Sequence, residues 1–168
     1  VISLKATETG MRAASARFAQ MLDQIQDLRP FMNAAADYMV RSTKYRVRQG
    51  RTSPNGEPFQ ALSELTRLIK GHDKPLYASG QLYDSIHKDH VTNEGFVVRA
   101  DPRSGRGYDY APSLQFGNRV QRGVAKTPDG RLVRPKTPAP ERPFLGFSEE
   151  NLRRLERMLA EHVLKFKP

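Results

Sequence analysis

Apolar and polar positions follow two different periods along this chain, and the changes of period mark out its elements. Residues 1–7 alternate, with Ile2, Leu4 and Ala6 on one side, the pattern of a short strand at a sheet edge. From Met11 the spacing becomes three and four: Met11, Ala14, Phe18, Met21, Leu22, Ile25 and Leu28 trace one stripe of a helix. Arg29-Pro30 ends it, because the residue before a proline is pushed out of helical geometry. Pro30 then suits the first position of a second helix, where its missing N–H does no harm. Phe31, Ala35, Tyr38, Met39 and Tyr45 carry that helix to about Gln49.

Residues 52–59, centred on Asn55-Gly56, have the chemistry of a turn. Leu62, Leu65, Leu68 and Ile69 predict a short helix closed by Gly71, and residues 83–86 predict another. Residues 87–91 and 96–100 read as two strands of a hairpin joined around Asn93-Glu94-Gly95. A helical turn is expected around Ala111, Leu114 and Gln115. Residues 117–140 then show no period at all, and an aperiodic stretch of that length within a compact domain is functional or disordered. In the last element Ser148 is a good N-cap, Glu149 and Glu150 favour the positive helix end, and Leu152, Leu155, Leu159 and Val163 are the expected buried stripe. The string predicts one α+β domain over 1–168: two N-terminal helices, a small antiparallel sheet with a hairpin, a long basic loop and a C-terminal helix.

Composition narrows the class. The formal charge of +10 predicts attraction to polyanions, of which nucleic acid is the commonest, or to an acidic protein partner. It is concentrated in two places. The 117–140 loop holds Arg119, Arg122, Lys126, Arg131, Arg134 and Lys136 against Asp129 alone. The end of the second helix holds Arg41, Lys44, Arg46, Arg48 and then Arg51, where cations equally suit the negative end of the helix dipole. The absence of cysteine excludes disulfides and thiolate metal sites. No run approaches the roughly 20 apolar residues of a membrane span, and residues 1–5 lack the layout of a secretory signal. The expectation is a soluble protein of a reducing cytoplasm.

No catalytic constellation emerges. His87 and His90 flank Asp89, but three positions apart on a regular strand they point to opposite faces and do not converge on one ion. His162 reads as a flanking residue of the last helix, and Glu64, Asp73, Asp84 and Asp89 are scattered. Residues 78–81 lack the setting of an activated serine. Arg103-Ser104-Gly105-Arg106-Gly107 is basic and glycine-bearing without phosphate-loop spacing; it is a flexible turn or a phosphate-contacting tip. No cofactor, metal site or enzymatic activity is expected.

Three blocks in fixed order carry a resemblance: Leu76-Tyr77-Ala78-Ser79-Gly80-Gln81-Leu82-Tyr83-Asp84-Ser85-Ile86, Tyr110-Ala111-Pro112-Ser113-Leu114-Gln115-Phe116-Gly117, and Arg142-Pro143-Phe144-Leu145-Gly146. Together with the turn at Asn55-Gly56-Glu57-Pro58-Phe59, they resemble the virion morphogenesis (tail completion) proteins of tailed bacteriophages, of the Mu-like type. Read as residues, the blocks have structural work to do. Gly80 permits a tight approach before Leu82 and Ile86 enter the core. Tyr110, Leu114 and Phe116 bury one side of a helical turn that Gly117 ends in left-handed geometry. Pro143 stiffens an extended clamp, anchored by Phe144 and Leu145.

The resemblance implies a non-enzymatic structural protein of the phage neck. It would be a tail completion or connector subunit that forms a sixfold or twelvefold ring and helps join the tail to a DNA-filled head. The implied partners are further copies of itself, neck proteins on the portal or adaptor side and on the tail terminator or tube side, and non-specific contact with genomic DNA. The implied location is the virion, reached from the host cytoplasm. The basic loop would meet passing phosphates or reach the next subunit, ordering only on assembly, so that the free subunit stays monomeric. The rival reading is a basic DNA-binding accessory protein of replication or packaging, absent from the virion; a small nuclease is a third and weaker one.

Overall fold

The computed structural model describes residues 27–117, 124–127, 129–133 and 140–164. The strand expected over 1–7 and all but the last two residues of the first expected helix lie outside them. Helix α1 spans Arg29–Gln49, with Pro30 in its first turn and Gly50 at its C-cap in the left-handed conformation, φ 62°. Its N-terminus is tied to the hairpin turn, where the Arg29 N–H donates to Asn93 Oδ1 at 2.8 Å. Helix α2, Glu64–Lys70, is capped by Ser63 and stopped by Gly71 at φ 71°. Helix α3, Gln81–Ser85, runs directly into strand β1, Ile86–Val91, which pairs antiparallel with β2, Phe96–Ala100. Helix α4 is Ala111–Gln115, and helix α5 is Glu149–Val163. The fold is α+β and closes on a C-terminal helix.

The core gathers Val47, Leu76, Leu82, Ile86, Ala100, Ala111 and Phe144, with Tyr83, Val98, Tyr110, Leu114 and Leu145 packed around it. Helix α1 is its spine and packs on the hairpin, on α3 and on α5. On β2, Phe96, Val98 and Ala100 turn towards the body while Val97 and Arg99 face solvent, the alternation of a sheet covered on one side. Lys88 reaches back across this layer to Asp37 of α1 at 2.9 Å.

Four expectations need correction. A β-bulge lies between Lys88 and His90, so His87 pairs with Arg99 and His90 with Val97. The extra residue, Asp89, restores the phase, and the two histidines share the exposed face rather than opposing each other. Among the described residues no group of three metal-ligating side chains stands around them. Second, the basic loop carries structure: β3, Ala125–Lys126, pairs antiparallel with β4, Leu132–Val133, across a turn where Gly130 has φ 88°.

Third, only part of the expected apolar stripe of α5 turns inward: Leu155 and Val163 are half-buried, but Leu152 and Leu159 are not. Asn151 is 2% exposed, whereas Leu152 is 49% and Leu159 39% exposed. The line towards the body is Asn151, Leu155, Met158 and His162, and each step along a helix turns about 100°, which carries Leu152 and Leu159 to the flank. Fourth, Phe116 does not pack inside but is 77% exposed. Leu114 points inward, and two positions later the chain has turned by about 200°. Tyr110 and Leu114 do pack on the core as expected.

Candidate functional site

The 142–146 segment belongs to neither helix nor strand and bends at Leu145-Gly146, so in a compact body its backbone polar groups must find partners elsewhere. Two side chains supply most of them. Gln115, just before the end of the second sequence block, accepts from Phe144 N and Leu145 N with its Oε1 and donates from Nε2 to Leu145 O, each at 3.1 Å. Arg46 donates from Nη1 to Phe144 O at 2.7 Å and to Gly146 O at 3.4 Å. Between them Phe144 is wholly buried, 0% exposed. Burying a phenyl ring of that size stabilises the fold by about 2–3 kcal/mol. Pro143 and Leu145 are half-buried beside it. Gly146 completes the clamp at φ 150°, and an added Cβ would stand 2.9 Å from Pro54 Cγ of the 52–58 turn. Gly80 differs: it is left-handed at φ 89°, but an added Cβ would meet only ordinary contacts at 3.5 and 3.7 Å. Its glycine serves conformation, not the close approach expected.

From the clamp the same network runs into α5. Ser148 caps the helix, accepting from Asn151 N at 3.1 Å, and Asn151 Oδ1 accepts from Ser148 N at 3.1 Å and from Arg46 Nη2 at 3.1 Å. Asn151 Nδ2 donates to Ser42 Oγ at 2.8 Å and to Tyr38 OH at 3.0 Å. All the hydrogen-bonding capacity of this buried amide is used, and that sets the rotation of α5 against α1. Burial lowers the pKa of Arg46, partly opposed by Tyr38.

A second cationic pair lies behind the clamp. Arg142, 6% exposed, donates from Nη2 to Gln60 O at 3.2 Å, and its Nε has no partner among the described residues. The Lys70 ammonium donates to Pro75 O at 2.7 Å, Tyr77 O at 3.2 Å and Lys74 O at 3.3 Å. Burial and then the nearby Arg142 push Lys70 down to about 8, against three carbonyls that favour its charged form.

The clamp also closes the root of the basic loop. Arg142 N donates to Leu114 O at 2.7 Å, and Gln115 grips residues 144 and 145. Gly117, at φ 72°, turns the chain away from this root. The chain thus leaves and re-enters the body at one place. Of the six basic loop residues, Lys126 and Arg131 are described, both exposed, with Arg131 paired to Asp129 at 3.2 Å. Arg119, Arg122, Arg134 and Lys136 lie outside the described residues.

The basic end of α1 divides. Arg46 is spent on the clamp, and Lys44 sits 5.0 Å from the centre of the Tyr83 ring, so neither is a free surface cation. Arg41, Arg48 and Arg51 are exposed. Arg41 and Arg51 line a groove of about 1210 Å³ between α1, the 51–56 turn and the stretch of α5 as far as Arg157. Sequence reasoning missed Gln115 and Asn151 as organising residues. The signals were present, Gln115 inside the second block and Asn151 three residues after the Ser148 cap, the spacing of a capping box.

The sequence model of the phage virion morphogenesis family matches residues 10–164 of this chain. The chain belongs to the phage virion morphogenesis family. No curated protein and no solved structure matches it. As a member of this family the protein serves in building a phage particle. Among the described residues no helix is long and apolar enough to cross a membrane.

Proposed function

We propose that this protein is a non-enzymatic tail completion or connector subunit of the head–tail junction, working in a sixfold or twelvefold ring that helps join the tail to the DNA-filled head. The observation that carries this reading is the clamp. It pins Phe144 in the core, closes the root of a basic loop on one side and starts α5 on the other. A body with a basic extension on a fixed base suits a subunit that touches DNA or the next copy while its own fold stays rigid. Lys126 and Arg131, with Arg119, Arg122, Arg134 and Lys136, are the side chains for that contact, and sequence-indifferent phosphate contact needs no more than such cations. Its neighbours would be a portal or adaptor protein on the head side and a terminator or tube protein on the tail side.

The test is electron microscopy of lysates from a phage with a nonsense mutation in this gene. Separate DNA-filled heads and finished tails are expected. Joined, intact virions would overturn the reading and favour a DNA-binding accessory protein, whose mark is salt-sensitive DNA affinity of the free subunit.

A further inference from the structure

We infer that the groove between α1 and α5 is a docking site for a carboxylate-bearing segment of another virion protein. This rests on the reading that the chain works within the particle. Three cations, Arg41 from α1, Arg51 from the turn and Arg157 from α5, converge on the groove from three separate elements. All three are exposed, and none makes a side-chain hydrogen bond or ion pair with another described residue. Arg46 and Arg153 line the same groove but are engaged, with Asn151 and with Glu149 at 3.0 Å.

The kind of occupant follows from the lining. Its cations are all arginine, with no lysine among them. The planar guanidinium fork binds a carboxylate through two parallel hydrogen bonds, which a lysine does not. Tyr45, 67% exposed, stands between Arg41 and Gln49 on the groove wall, and tyrosine and arginine are among the residue types enriched at the hot spots of protein interfaces. A phosphodiester backbone is the poorer fit. Glu149, Glu150 and Glu156 line the α5 wall and repel a continuous row of phosphates. A protein segment places its acids opposite the arginines and keeps them away from the glutamates.

The test uses the full purified chain and fluorescence anisotropy at near-physiological salt, with a labelled ten-residue polyglutamate peptide and a labelled DNA duplex as probes. The triple substitution Arg41→Ala, Arg51→Ala, Arg157→Ala is expected to weaken the peptide at least about tenfold, the loss of one or more charge-assisted bonds, and to change the duplex by less than about twofold, since its phosphate contacts lie elsewhere. The Arg→Lys triple is expected to recover only part of the peptide binding, and Lys126→Ala with Arg131→Ala to leave it unchanged. The inference is overturned if the wild-type chain does not bind the peptide, if the groove triple binds it as well as wild type, or if the duplex is weakened as much as the peptide. The purified chain reports on the groove wherever the protein sits, so joined virions in the nonsense lysate would sink the junction reading without altering this result.

Discussion

Arg41 and Arg46 stand five residues apart on one helix, in one run of basic residues, and serve opposite ends. Arg46 turns inward, where its guanidinium satisfies the carbonyls of Phe144 and Gly146 and the amide oxygen of Asn151. Arg41 turns to the groove and meets no side-chain partner among the described residues. The clamp is a region whose polar groups are almost all satisfied internally, and such networks rigidify a fold. The groove leaves its hydrogen-bonding capacity open, as a surface waiting for a partner does. A cationic run in the sequence does not distinguish the two, because the choice depends on which face of the helix meets the 142–146 backbone.

The sharpest way to break the clamp is Phe144→Ala, which empties a fully buried site and is expected to cost about 3–5 kcal/mol, read by urea denaturation. Arg46→Ala comes next. It leaves the Phe144 carbonyl without its donor and removes one of the two donors to Asn151 Oδ1, with an expected loss of about 2–3 kcal/mol. Asn151→Ala cuts the same network from the other side, so the double variant should lose less than the sum of the two singles. Gly146→Ala drives a methyl against Pro54 at a positive φ and should cost about 1–2 kcal/mol. Arg41→Ala, by contrast, should leave stability within about 0.5 kcal/mol. A loss as large as that of Arg46→Ala would erase the distinction between the two regions.

A pH dependence is expected behind the clamp. Lys70 is lowered from 10.5 to about 8 in the folded chain. Between those values the unfolded chain holds a proton that the folded chain has released, so stability rises with pH across this window. The rise should be absent from Lys70→Met when urea midpoints at the two ends of the window are compared.

Much of the fold was legible because its signals are local. Pro30 opens α1, Gly71 closes α2, and the strands around Asn93-Glu94-Gly95 stand where alternation places them. What was not legible depends on contacts between distant residues. The bulge at Asp89 shifts one strand by a residue, reversing the argument that separated His87 from His90. The rotation of α5 is set by Asn151, whose partners Tyr38, Ser42 and Arg46 lie more than a hundred residues away, and this turns Leu152 and Leu159 out of the buried face that keeps Leu155. Phe116 sits among core residues in its block, but it is exposed, as is Leu132 at the small hairpin, because the end of the short helix turns it away from the body. Of the candidate site, Phe144 was found from its apolar setting. Gln115, which holds it in place, is not legible in the same way, since its partners are backbone atoms that no sequence pattern displays.

The most direct test of the junction assignment is immunogold labelling of purified virions with antibodies against this chain, viewed by electron microscopy. Gold confined to the point where head meets tail is the result expected of a tail completion or connector subunit. Gold elsewhere on the particle, or particles that carry none of the protein, would contradict it.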